Sequence, residues 1–161
     1  MKRLVNFIGK ASMLLLFPLN CLACSGYVVG FGGLNAAFDK KAFDHYAALQ
    51  GYCAKSYAWQ DQAKAKAFIE SLSVPYQLYG FSKGAETVSK LVKSTTKKPD
   101  YIITIGAYKT VDVNFTKYHI PFTNYFDNSG RGQKSPGTFL NRSHGSMQST
   151  VSRLLEGNFC I

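Results

Sequence analysis

Residues 76–85 read Tyr76-Gln77-Leu78-Tyr79-Gly80-Phe81-Ser82-Lys83-Gly84-Ala85 and place one serine between two glycines. The apolar, β-rich residues before the serine favour a strand that begins after the break at Val74-Pro75. Residues 85–93 carry apolar side chains at helical spacing. The pattern predicts a strand, a tight turn at Ser82 and a helix. Glycine is needed on both sides of the serine because side chains there would collide with the strand and the helix.

Strand and helix patterns alternate along the rest of the chain. The sequence predicts a strand that runs into a Gly-rich loop at 27–33, and further strands at 52–59, 101–105 and 120–126. It predicts helices at 41–49, 61–72 and 146–155. A chain of 161 residues that is 46% apolar has enough hydrophobic material for one globular domain. We therefore expect a single α/β domain whose mostly parallel sheet is covered by helices on both faces, with ligands at the carboxyl ends of the strands.

The first 23 residues have the pattern of a secretory signal peptide. Lys2, Arg3 and Lys10 precede an apolar stretch at 11–19, which is too short to span a bilayer comfortably. Small residues favour cleavage before Cys24, so we expect a leader at 1–23 and a domain at 24–161 of an exported protein, whether periplasmic, secreted or lipid-anchored. An uncleaved interfacial anchor and a lipoprotein acylated on Cys24 are the alternatives.

Removal of the leader leaves three cysteines: Cys24, Cys53 and Cys160. In an oxidising compartment this number predicts one disulfide and one further thiol, with three possible pairings. Acylation of Cys24 would leave Cys53 to pair with Cys160.

The chain is strongly basic, with 19 Lys and Arg against nine Asp and Glu. This excess favours affinity for anionic membranes or envelope polymers, although solvated lysines are the commoner reason for such a count. An exported chain with no recognition motif is a poor candidate for nucleic-acid binding. No nucleotide loop, flavin motif or metal-ligand spacing indicates a cofactor.

A serine hydroxyl needs a general base to act as a nucleophile, and three histidines are available. His144 lies in a polar turn just before the last predicted helix and is the favoured base. His45 falls within a predicted helix and His119 at the start of a strand, positions that favour structural roles.

The base needs an acid that fixes its tautomer. Asp127 directly follows the strand ending at residue 126, at the same sheet edge as Ser82, and is the favoured acid. Asp112, in the loop after the strand at 101–105, is the alternative. Each aspartate also fits an ordinary turn.

The chain order Ser82, Asp127, His144 resembles that of the α/β-hydrolase family, and residues 26–155 look like a small, cap-less member. The turn Gly-Phe-Ser-Lys-Gly-Ala is similar to the cutinase nucleophile elbow. The resemblance implies a nucleophile at Ser82, an acid at Asp127 and a base at His144. The candidate final strand between the acid and the base is confined to residues 138–140.

Gly30-Phe31-Gly32-Gly33 resembles the oxyanion loop of that family, although the usual histidine at its start is absent. The resemblance implies that the backbone N–H groups of Lys83 and Phe31 bind the oxyanion. It also implies hydrolysis of carboxylic esters, whether lipid, acyl or envelope-linked, at a serine open to bulky substrates. A non-catalytic binding module on the same fold, or an amidase or peptidase using the same residues, are the alternative functions.

Overall fold

The computed structural model describes residues 24–34, 38–107, 114–128 and 137–157. In this part of the chain a single open sheet contains six parallel strands in the order β2-β1-β3-β4-β5-β6. The strands are β1 Tyr27–Phe31, β2 Cys53–Tyr57, β3 Tyr76–Phe81, β4 Tyr101–Ile105, β5 Phe122–Phe126 and β6 Thr138–Phe139. The helices are α1 Lys40–Leu49, α2 Gln62–Ser71, α3 Lys83–Ser94 and α4 Met147–Leu155, with short 3-10 helices at Asn114–Tyr118 and His144–Ser146.

Helices cover both faces of the sheet, so the predicted α/β architecture is confirmed. Because successive strand residues point to opposite faces, neighbours such as Val28 and Val29 enter two different cores. Buried residues of α2 and α3 pack on one face, and those of α1 and α4 pack on the other. The hydrophobic content that predicted one domain is divided between these two layers.

The direction in which strands are added reverses between β1 and β3. The chain passes from β1 to β2 at one edge, then returns to β3 on the other side of β1 and continues towards β6. In open parallel sheets, the crevice outside the carboxyl ends of the strands at such a reversal is the usual place for a ligand. Here the chain leaves β1 at Gly32 and β3 at Ser82, the two strands on either side of that reversal.

The sequence shows no clear final strand between Asp127 and His144, but the candidate at 138–140 contains a short one. Thr138–Phe139 pairs with β5 in parallel and brings the chain back to the carboxyl-terminal side of the sheet. The candidate at 138–140 is thus a strand in its first two residues.

Cys24 forms a disulfide with Cys53, and their Cα atoms are 5.6 Å apart. This bond joins the segment before β1 to the first residue of β2. A Cys24 sulfur in this bond is not available to an acyl group, so acylated Cys24 and its implied Cys53–Cys160 pairing disagree with the structure. The disulfide is compatible with an exported protein.

Residues 1–23 and Cys160 lie outside the described residues, so the leader remains a prediction. None of the helices in the described ranges has the length and apolar character needed to cross a membrane.

Candidate active site

Ser82 lies in the turn that joins β3 to α3 and has φ 53° and ψ −117°. A positive φ is strained for a residue with a Cβ atom and costs on the order of 1–3 kcal/mol. Serine in the position before a helix commonly caps it, but the Ser82 side chain makes no capping hydrogen bond. The strained backbone of Ser82 is therefore not explained by a role of its hydroxyl in capping the helix.

The glycines around Ser82 are required by close packing. A Cβ atom on Gly80 would lie 2.7 Å from the Cα atom of Ala85, and one on Gly84 would lie 2.8 Å from the carbonyl oxygen of Gly32. The collision between side chains and neighbouring elements that was predicted from the sequence is thus confirmed for the Gly-x-Ser-x-Gly turn. At Gly84 the neighbours are Phe31 at the end of β1 and Gly32 after it, which lie against the start of α3.

His144 and Asp127 form a hydrogen-bonded pair through His144 Nδ1 and Asp127 Oδ2. Asp127 directly follows β5 and is 2% exposed, whereas the side chain of His144 is 39% exposed. The His144 ring also stacks on Phe81, with ring centroids 4.9 Å apart. The carboxylate and the aromatic ring together fix the orientation of the imidazole.

Gly106 connects the histidine pair to the serine turn. The N–H of Ser82 donates to the carbonyl of Ile105 at 2.9 Å, and the next residue is Gly106. A Cβ atom on Gly106 would lie 2.9 Å from His144 Cε1 and 3.2 Å from Asp127 Oδ2. Gly106 also has a φ of +53°, which favours glycine. The imidazole thus lies over the end of β4, beside the strand that leads to Ser82.

The structure brings Ser82, His144 and Asp127 to one edge of the sheet, but it pairs only two of them. Within the described ranges, Ser82 Oγ makes no hydrogen bond to the His144 ring. Ser82 as a whole residue is 5% exposed. The loop after β1 contributes to this burial, since a Cβ atom on Gly33 would lie 2.8 Å from the Cβ atom of Ser82.

The backbone groups expected to bind an oxyanion lie in two adjoining segments. Lys83 is the first residue of α3 and directly follows Ser82. Phe31 is the last residue of β1 and is fully buried. Gly33, two residues later, is the loop residue that contacts Ser82.

The other candidates lie elsewhere or outside the described residues. His45 Nε2 lies 2.6 Å from Glu156 Oε1, a contact that joins α1 to the end of α4. His119 follows a 3-10 helix on the exposed surface. Asp112 falls outside the described residues, so the choice between it and Asp127 is not tested there.

Sequence reasoning did not identify Gly106 or Phe81 as residues that support the histidine. One signal for Gly106 was available, because a glycine directly after a buried strand often marks close approach by another group. The stacking of Phe81 on His144 has no sequence signal, because it depends on how β6 returns the chain.

The described residues contain no group of three or more His, Cys, Asp or Glu that could hold a metal ion. No protein-family model matches the chain. A search of curated proteins likewise found no match.

Proposed function

We propose that this protein is a serine hydrolase that cleaves carboxylic esters with Ser82, His144 and Asp127. The observation that carries the proposal is the position of the His144–Asp127 pair over Gly106, the residue after the carbonyl that binds the Ser82 N–H. The strained backbone of Ser82 and the lack of a capping hydrogen bond from its hydroxyl support the same function. A serine that merely ended a strand would have no reason for either feature.

In the proposed reaction, Ser82 Oγ attacks the ester carbonyl and His144 Nε2 accepts the serine proton. The proton then passes to the leaving alcohol, and water hydrolyses the acyl-enzyme by the same route. Asp127 accepts a hydrogen bond from Nδ1–H and stabilises the imidazolium. The N–H of Lys83 and an N–H of the loop after β1 bind the oxyanion, and each donor lowers the barrier by about 3 kcal/mol.

The missing hydrogen bond between Ser82 and His144 favours a second candidate, a binding module on the same fold without turnover. Such bonds are often long in proteins without substrate, so we retain the hydrolase as the better proposal. The disulfide supports the proposal that the enzyme is exported. The exposed lysines of the protein would favour binding to esters at an anionic surface.

A fluorophosphonate probe tests the nucleophile directly. We expect covalent labelling of the folded protein at Ser82 and none in Ser82→Ala, together with hydrolysis of short p-nitrophenyl esters by the unmodified protein alone. If the folded protein neither reacts with the probe nor hydrolyses these esters, the hydrolase proposal is wrong and the binding module replaces it.

Gly106→Ala tests the role of the histidine pair. The added Cβ atom would lie 2.9 Å from His144 Cε1, so the imidazole must move and we expect ester hydrolysis to fall about 100-fold or more. Gly51→Ala is the matched control, because Gly51 also has a positive φ, +69°, but no atom lies within 4 Å of its added Cβ. Equal activity in the two variants would contradict the role given to His144.

A further inference from the structure

A cleft of about 760 Å³ lies at the carboxyl ends of β1 and β2, beside the serine turn. Its walls include Gly32 and Gly33, and Gly33 is the residue that contacts Ser82. The volume lies within the range of pockets that hold small organic molecules. Gly33 therefore lies between the cleft and the serine.

Three aromatic side chains from different segments line this cleft: Phe38, Tyr57 and Trp59. All three are half-buried. Phe38 packs against Phe43 with ring centroids 5.1 Å apart, and Tyr57 stacks on Phe31 at 6.1 Å. Rings supported in this way, with surface left in a common cleft, are suited to holding another ring.

Trp59 is tied to the helix that follows the serine. Its carbonyl accepts a hydrogen bond from Thr87 Oγ1 at 2.8 Å, and Lys83 Nζ lies 5.5 Å from the centre of its ring. Lys83 Nζ is in turn 2.6 Å from Glu86 Oε2. These contacts fix the Trp59 wall relative to the segment that begins at Ser82.

Polar side chains share the cleft with the aromatic rings. Ser56, Gln60, Asp61 and Lys64 contribute to its lining, and Lys64 Nζ lies 3.0 Å from Asp61 Oδ1. Burial raises the pKa of the Tyr57 phenol, and the Asp61 carboxylate raises it further, so the hydroxyl remains a hydrogen-bond donor. A long alkyl chain could give no hydrogen bond to Ser56 or Gln60.

We infer that the cleft binds a compact ring that carries hydroxyl groups, as the acyl or the alcohol part of the ester. The inference takes the proposed ester hydrolysis at Ser82 as its premise. Aromatic walls match the face of the ring, and the polar residues match its hydroxyls. A phenol and a sugar both have a ring face and hydroxyl groups. A long fatty acyl chain is apolar but has neither.

Binding can be measured without turnover because Trp59 is the only tryptophan in the chain. Its fluorescence in Ser82→Ala protein would be followed during titration with methyl 4-hydroxyphenylacetate, methyl 6-O-acetylglucoside and methyl octanoate. We expect a saturable change in fluorescence with at least one of the two ring esters. Comparison of the two titrations shows whether the cleft prefers a phenol or a sugar. A response to methyl octanoate at equal or lower concentration, or no response to either ring ester, would overturn the inference.

The turnover experiment uses Trp59→Ala in the otherwise unmodified chain. Loss of the ring should lower kcat/KM for the preferred ring ester about tenfold while changing that for methyl acetate less than about twofold. Tyr118→Ala is the control, since Lys98 Nζ lies 5.0 Å from that half-buried ring, which does not line the cleft. An equal loss on both esters in Trp59→Ala would overturn the inference.

The two proposals fail in different ways. Ring binding without hydrolysis of any ester would refute the hydrolase and leave the ring site in place as a binding site. Hydrolysis of methyl acetate without ring binding would refute the ring site alone.

Discussion

At the scale of single residues, Ser82 combines a strained backbone with a hydroxyl that makes no capping hydrogen bond. Replacement by glycine relieves the positive φ of 53°, whereas replacement by alanine keeps a Cβ atom in the same conformation. We expect the free energy of unfolding of Ser82→Gly to exceed that of Ser82→Ala by about 1 kcal/mol, although neither variant has a nucleophile. Urea denaturation of the two variants measures the difference directly.

His119 provides the comparison for this prediction because it is the other described non-glycine residue with a positive φ, 54°. His119→Gly should gain a similar amount of stability without loss of ester hydrolysis, because His119 lies outside the site. A Ser82→Gly variant that is less stable than Ser82→Ala would show that the turn is not strained.

The residues that were predictable are those whose role is local. The two glycines around Ser82 and the aspartate after β5 follow from turn chemistry and from the position of strand ends. The contact between Gly33 and Ser82 was not predictable, because it depends on the approach of a loop across two neighbouring strands.

At the scale of elements, two helices with aspartate before their first turn differ in how that aspartate is used. Asp39 Oδ1 accepts a hydrogen bond from the N–H of Ala42 at 3.0 Å, whereas Asp61 makes no capping bond to α2. Asp39→Ala should lower the free energy of unfolding by about 1 kcal/mol. Asp61→Ala should lower it by less than about 0.5 kcal/mol, since it loses only an exposed pair with Lys64.

Chemical denaturation of the two variants checks this difference in capping. Equal losses would mean that the Asp39 bond adds nothing beyond ordinary surface electrostatics, and that α1 depends on its buried face alone.

Helix and strand positions were predictable because the apolar side chains repeat with the period of each element. The sequence predicted a strand at 101–105, and β4 has the same bounds. Helix α1 begins at Lys40, one residue before the predicted start, because Asp39 caps it there. The strand order was not predictable to this detail, since periodicity reports burial and not the identity of the neighbouring strand.

At the scale of the whole molecule, buried tyrosines link stability to alkaline pH. Burial raises the pKa of Tyr76 from 10.0 to about 12, and it also raises the pKa values of Tyr46 and Tyr79. All three side chains are nearly inaccessible to water. The folded protein therefore keeps protons that the unfolded chain releases from about pH 10 upward.

Because the folded pKa is the higher one, the contribution of Tyr76 is complete below pH 10 and is lost as pH rises from 10 to about 12. Tyr76→Phe removes this pH-dependent contribution to stability, and it also removes the hydrogen bond from the phenol to the Lys97 carbonyl at 2.8 Å. At pH 7 the free energy of unfolding of the variant should be lower by about 1 kcal/mol. Above pH 10 its stability should fall less steeply than that of the unmodified protein, by up to about 1.4 kcal/mol per pH unit. Urea denaturation from pH 7 to 12 gives both profiles, and parallel profiles above pH 10 would show that Tyr76 ionises as readily in the folded protein as in the unfolded chain.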